Sequence, residues 1–549
     1  MCLRAVGIVG AVLALAGGAF GQAEPYRDDD DAAAAVEKAG GTLHRGYPRT
    51  KRPGVALPPP TAVNRADAVR REGNTDLPVV SVHFASPKLT DASLAALAKP
   101  LAALKYLDWV TLDGTAVTDA GLKSLAACAG LTSLHLGPGR VTGTGLKDLA
   151  ALKGLTALSV FGTSLSAEGF KAVAALKGVT LLSLRRSRVA DADLKSVGEL
   201  EALETLDLAE TTVGDGGLAH LGKLSKLTRL TLDKTRVTGA GFKGLGGLTA
   251  LAVLTAQESA LTDAGLGGLP RLPALVSVDL SGNPALTGAG LTCLAGSRTL
   301  TSLDLGDTRV TSAALANLAD CPELATLTLT RTRVTDAGLK HLGKLSKLLD
   351  LGLGGTAVGD AGAKELAGLK GLSRLGLAKT KVGDAGLAAL AGLTTLNSLD
   401  LAGTAVTSAG AKSLGGLVNL GHLDLSGTKF GDPGVAVLAD KLRQLNSLNL
   451  SKTAVGDGAA KLASVRSLST LNLSDTKAGD ASVKALPALK NLARLNLAGT
   501  QTTDKSSPVL ESMKEHLHFL DLTNSRVPPL KIHQLQLAMP YATVLPRLK

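Results

Sequence analysis

The 549-residue chain is poor in the side chains that fill an irregular core: aromatic residues make up 2%, with one Trp, against 45% hydrophobic residues overall. Aromatics usually dominate the buried area of a large globular core. Here the core must be built from Leu, Val and Ala, and a core of such uniform pieces is thin and regular. Long apolar runs are also scarce. The single clear run, Ala5 to Phe20, follows Arg4 and precedes the small residues Gly21 and Ala23, which fit the −3 and −1 positions of a cleavage site. It falls short of the ~20 residues of a membrane span. Residues 1–23 are therefore expected to be a cleavable export signal, giving a periplasmic or secreted protein without a membrane span in the mature chain. The alternative is an N-terminal membrane anchor. No Cys follows the run, which argues against a lipoprotein.

Acidic residues are outnumbered, 47 to 59, for a net charge of +12. The excess is dispersed. Lys123, Lys147, Lys171, Lys195 and Lys243 stand singly at one recurring place, as on a solvated outer face. A nucleic-acid surface needs clustered Lys and Arg interleaved with aromatics, so no nucleic-acid partner is expected.

The chain repeats itself. Leu206-Asp207-Leu208 is followed by Thr211, Val213, Asp215 and Leu218, and Leu327-Thr328-Leu329 by Thr332, Val334, Asp336 and Leu339. The second strand residue runs from Phe84 through Leu208 and Leu329 to Leu522, in about nineteen repeats with a period of about 24. L-x-L alternates inward and outward, so two Leu enter the core and the middle residue faces out. Leu122 and Leu125, three apart, line one face of a following helix. Asp215 and Asp336 stand where helices begin and are expected to cap them. No unit can bury its Leu alone, so neighbours must stack. Cys128 and Cys321 occupy equivalent places in repeats eight apart, ~38 Å at strand spacing and beyond disulfide reach. They are read as buried small hydrophobes.

This pattern, over residues 79–525, resembles the leucine-rich-repeat family. The T-x-V-T-D-A-G-L variant is similar to a bacterial class, which is also ribonuclease-inhibitor-like and akin to the cysteine-containing repeats of F-box proteins. No F-box-like helical segment precedes the repeats, so a ubiquitin-ligase role has no support in the residues. The family's Asn/Cys position departs systematically: Thr occupies it in thirteen repeats from Thr115 to Thr500, Ser at Ser187, Ser259 and Ser525, and Asn only at Asn283. A hydroxyl can still bond the turning backbone, with fewer bonds than an amide. The resemblance implies an α/β fold: a right-handed solenoid or horseshoe, with a parallel sheet on the concave face and helices on the convex face.

The ends lack the repeat. Residues 24–45 read as a capping helix and a short strand, and 46–78, with Pro58-Pro59-Pro60, as a loop or linker. Residues 526–549 read as a C-terminal cap, with a last helix over Pro529–Ala538 and a strand near Tyr541–Leu545.

No catalytic signature emerges. Gly217, Gly222 and Lys223 have phosphate-loop spacing, as do Gly338, Gly343 and Lys344, but Leu224 and Leu345 stand where a Mg-binding Ser or Thr is required. His516 and His518 would splay to different helix faces, so no metal site is expected. Sequons at Asn449 and Asn472 fall inside strands and are by-products of the repeat. Neither catalysis nor a cofactor is expected.

The concave face is the informative surface. Its middle row is small and polar, as in Ser159, Ser183, Asp207, Asp279 and Asp304. Against it stand Phe161 and Arg185, with Arg186 and Arg188 beside them. An aromatic with convergent Arg suits an acidic or planar group, and these four are the candidate partner-binding residues. The leading expectation is a monomeric, non-catalytic scaffold for a protein or envelope polymer. The alternatives are a structural or adhesive surface protein and an enzyme inhibitor.

Overall fold

The protein is described by a computed structural model over residues 30–46 and 78–546. The leader and nearly all of segment 46–78 lie outside the described residues. Helix α1 (Asp30–Lys38) buries Ala32, Ala33 and Val36 and leads into strand β1 (Gly41–Arg45). β1 pairs antiparallel with β2 (Val79–Phe84), Gly41 opposite Phe84. Every later pairing is parallel and joins consecutive strands: β3 (Trp109–Leu112), β4 (Ser133–Leu136), β5 (Ala157–Val160), β6 (Leu181–Ser183), β7 (Thr205–Asp207), β8 (Arg229–Thr231), β9 (Val253–Thr255), β10 (Ser277–Asp279) and β11 (Ser302–Asp304). One strand per repeat continues to Phe519–Asp521, and a last strand lies at Thr543–Leu545. The result is one open sheet of 21 strands.

Leucine fixes the register. Leu206 pairs with Leu230 and Leu230 with Leu254. A slip of one residue would turn every Leu out of the core. Behind one strand, Leu206, Leu208, Val213, Leu218, Leu221, Leu224 and Leu227 are all fully buried. Each contributes about 1.5–3 kcal/mol relative to exposure. Four Phe (Phe84, Phe170, Phe242 and Phe430) replace aliphatics within this core. Cys128 and Cys321 are buried and Cys293 is half-buried, all as free thiols.

The outer elements are shorter than the sequence pattern suggests. Many are a single turn, such as Asp119–Leu122 and Asp215–Leu218, and many are the tighter 3-10 form, such as Thr144–Leu149. Two causes are visible. A repeat of about 24 residues, after its strand and two turns, leaves few positions for a helix. The third helical residue is often Gly because adjacent repeats touch there: a Cβ on Gly169 would collide with the backbone of Thr142.

Asp215 and Asp336 do not cap their own helices. The capping hydroxyl, where there is one, belongs to the preceding residue, as when Thr262 Oγ1 accepts from Gly265 N–H at 3.1 Å. Asp215 instead reaches forward, accepting from Thr238 N–H (3.2 Å), Gly239 N–H (3.0 Å) and Gly241 N–H (2.9 Å) of the next repeat. Asp336 likewise takes Gly359 N–H at 2.6 Å. The physical reason is placement. At the first helical residue the carboxylate lies beside the next unit, whose own helix start offers unpaired N–H groups.

The Thr position also works differently from an Asn ladder. Thr211 Oγ1 donates to Leu208 O (2.6 Å), within its own repeat, and the same bond recurs at Thr332 and Thr500. Asn283 spans further: Nδ2 donates at 2.8 Å to Ala256 O of the preceding repeat and to its own Leu280 O. Ser259 Oγ also donates backward, to Leu232 O at 2.9 Å.

Candidate functional site

Phe161 and Arg185 each follow the second strand residue of their repeat, and Gly162 N–H donates to Arg185 O at 3.1 Å. Both side chains are half-buried, and Arg186 beside them is exposed. Its guanidinium carbon lies 5.7 Å from the centre of the Phe161 ring. The structure thus brings together three of the four candidate residues. Arg188 does not join them. It is exposed beyond buried Ser187, and its N–H is spent on Thr163 O.

Sequence reasoning missed Glu210. Arg185 Nη2 and Arg186 Nε both donate to its carboxylate at 2.6 Å. The Arg186 hydrogen bond holds Glu210 below the usual carboxylate range against the opposing effect of burial, and Arg185 adds to it. The missing signal lay two residues after the second strand position. That residue adopts a left-handed backbone in most repeats, with φ of 59° at both Arg186 and Glu210. Along this row opposite charges one repeat apart form ion pairs, as Lys234 with Glu258 and Arg331 with Asp307 do.

The other side of Phe161 is also built. His135 stacks on its ring with centroids 6.4 Å apart. His135 Nδ1 lies 2.8 Å from Ser159 Oγ and Nε2 3.1 Å from Asp113 Oδ1. The latter contact has the distance of an ion pair, but Oδ1 receives no aligned hydrogen bond. His135 nonetheless lowers the Asp113 carboxyl, outweighing burial, with His83 contributing from further off. Among the described residues Phe519 is a second aromatic paired with an arginine, its ring centre 4.5 Å from the Arg494 guanidinium carbon.

Beyond β6 the face carries a run of carboxylates. Asp207, Asp233, Asp279 and Asp304 are half-buried, and none lies within ion-pair distance of a cation among the described residues. Their partners are neutral: Ser183 Oγ donates to Asp207 at 3.1 Å and Gln257 Nε2 to Asp279 at 2.6 Å. Burial raises Asp233 and Asp304, and neighbouring carboxylates, Asp279 among them, add to the rise.

Elsewhere the chemistry is sparse. Gly217 and Gly338 sit buried in outer helical turns rather than in a loop facing a ligand. No group of three His, Cys, Asp or Glu among the described residues is placed to hold a metal ion. None of the described helices is long and apolar enough to cross a membrane.

A family model described as Leucine Rich repeat matches residues 272–295, 296–319, 392–415 and 417–439. A search of curated proteins finds no match. Among solved structures, the chain is similar to an internalin from Listeria monocytogenes at 23% identity, covering 60% of this chain and 93% of that one, with a TM-score of 0.49. It is similar to a leucine-rich-repeat protein from Leptospira interrogans at 20% identity, covering 83% and 99%, with a TM-score of 0.46. It is also similar to a chain of the mouse RP105/MD-1 complex at 17% identity, covering 84% and 90%, with a TM-score of 0.50. Four repeats of this chain thus match the leucine-rich-repeat family, and they stand in an uninterrupted frame of parallel strands, an open α/β solenoid.

Proposed function

We propose that this chain is an exported, non-catalytic scaffold that holds a protein or envelope-polymer partner on its inner face, centred on Phe161, Arg185 and Arg186, with Arg188 at the margin. One observation carries the reading. A half-buried aromatic is flanked by His135 and Arg186 on a stretch of the face whose neighbouring middle-row positions are small and polar, as at Thr111, Ser159 and Ser183. Aromatic and Arg side chains in such a setting are where binding energy concentrates. Two guanidinium groups share one carboxylate, which leaves net positive charge and unused donors for an anionic group. The mouse chain of similar fold belongs to a two-protein complex, RP105/MD-1.

The test is capture of partners from the exported fraction of the native host, followed by titration. Arg185→Ala/Arg186→Ala/Arg188→Ala should weaken binding by at least ~2 kcal/mol. Arg331→Ala/Arg333→Ala, with the same chemistry but no aromatic neighbour, should change it little. Loss in the control and retention in the triple variant would place the partner elsewhere. Mass spectrometry of the exported protein should find its N-terminus near Gln22 or Glu24, and an intact leader on a cytosolic chain would refute export.

A further inference from the structure

The inner face carries two regions of opposite net charge. Arg185 and Arg186 follow β6, and Asp207 ends β7 one strand away. From there to β11 the face presents Asp207, Asp233, Asp279 and Asp304 against the fewer cations Arg229 and Lys234, and no cation lies within ion-pair distance of any of the four carboxylates among the described residues. Four carboxylates held half-buried without a counter-charge are a standing repulsion. The Arg pair, meanwhile, has only one Glu210 between two cations. Each region lacks what the other has in excess, yet the fold holds them apart.

We infer that the partner presents an extended polypeptide segment lying across the strands, with an acidic block on Phe161, Arg185 and Arg186 and a basic block on Asp233, Asp279 and Asp304. This rests on the functional reading above and specifies its ligand. The spacing follows from the sheet. Four to five strand steps of ~4.8 Å separate β6 from β10 and β11, or ~19–24 Å. An extended chain advances ~3.3 Å per residue, so the centres of the two blocks lie about six or seven residues apart. The segment also has one direction of charge along the solenoid, acidic end toward β5. The raised carboxyls of Asp233 and Asp304 agree with this: burial is the larger cause, and an incoming ammonium or guanidinium would relieve the carboxylate repulsion that adds to it.

The test is display selection of a random twelve-residue peptide library on the whole immobilised chain. Enriched peptides should carry an acidic and a basic block with centres six or seven residues apart. Selection on Arg185→Glu/Arg186→Glu should lose the acidic block and keep the basic one. Selection on Asp279→Lys/Asp304→Lys should do the reverse. An enriched peptide should bind either variant at least ~10-fold more weakly by fluorescence anisotropy, with circular dichroism confirming that both variants fold. No enrichment, blocks of one sign, or blocks indifferent to the variants would each overturn the inference. If those results came with intact loss of the native partner in the triple Arg variant, the binding role would stand and only this ligand would fall.

Discussion

Asp119 accepts from Thr142 Oγ1 and from the N–H groups of Thr142, Gly143 and Gly145, four donors of the following repeat. Burial raises its carboxyl, but the bonds from Thr142, Gly145 and Gly143 outweigh that and leave it below 3.8. Asp119→Asn keeps the shape and loses the charge and half of the acceptor capacity. It should destabilise by about 1–2 kcal/mol in urea titration. The pH dependence follows from the signs. A depressed carboxylate such as Asp119, Asp263 or Asp480 gives stability that is present above its unfolded value and lost as pH falls through its folded value, here below 3.8. Asp233, Asp304 and Asp400 are raised, so the folded state gains relative stability as pH falls through their folded values, above 3.8. Thermal melts should therefore show stability rising slightly on acidification before it collapses below that point. A monotonic loss from neutrality would contradict the raised inner-face acids. In the core, Leu329 is fully buried and the adjacent Thr328 half-buried. Leu329→Ala should cost about 2–5 kcal/mol and Thr328→Ala under about 1. Similar losses from the two would put the strand out of register by one.

The strands were legible because period-two leucine leaves one workable register. The helical turns were less so, since D-A-G-L has the right apolar spacing but its Gly serves close contact between repeats, and contacts of that kind are not written as periodicity. Arg185 and Arg186 were visible as bulk on a small-residue face. Glu210 was not, because its partnership needs the residue two past the strand to be aligned across repeats. That position has its own energetics. Lys379 sits there with φ of 55°, and Gly403 takes the same place with φ of 66°. A Cβ is strained in this region and glycine is free of that strain. Lys379→Gly should stabilise the chain by up to about 1 kcal/mol, and Gly403→Ala should destabilise it by about 1 kcal/mol or more. Urea midpoints of the two variants check this. A loss in both would mean that packing rather than backbone strain governs the turn.

At the scale of the molecule, about twenty strand-to-strand steps of ~4.8 Å make a sheet ~96 Å long along its curve. A compact chain of this length would have a radius of gyration near ~24 Å. Small-angle scattering should give a clearly larger value, and one near ~24 Å would be incompatible with an open stack. The carboxylate contacts between repeats add a polarity that the strand order alone does not have. For the aspartates at the helix starts, the acceptor belongs to the earlier repeat and the donors to the later one: Asp119 to Gly145, Asp215 to Gly241, Asp263 to Gly290, Asp360 to Gly386. A chain synthesised from its N-terminus thus places each receptor before the segment that docks on it. Growth is templated, each finished unit presenting a charged edge that tells the next where to stop. Removing whole repeats from the end made last strips only a solvated carboxylate of its donors. Removing them from the end made first strands backbone N–H groups in the new leading turn, so that the same molecule should tolerate being left unfinished better than being started late.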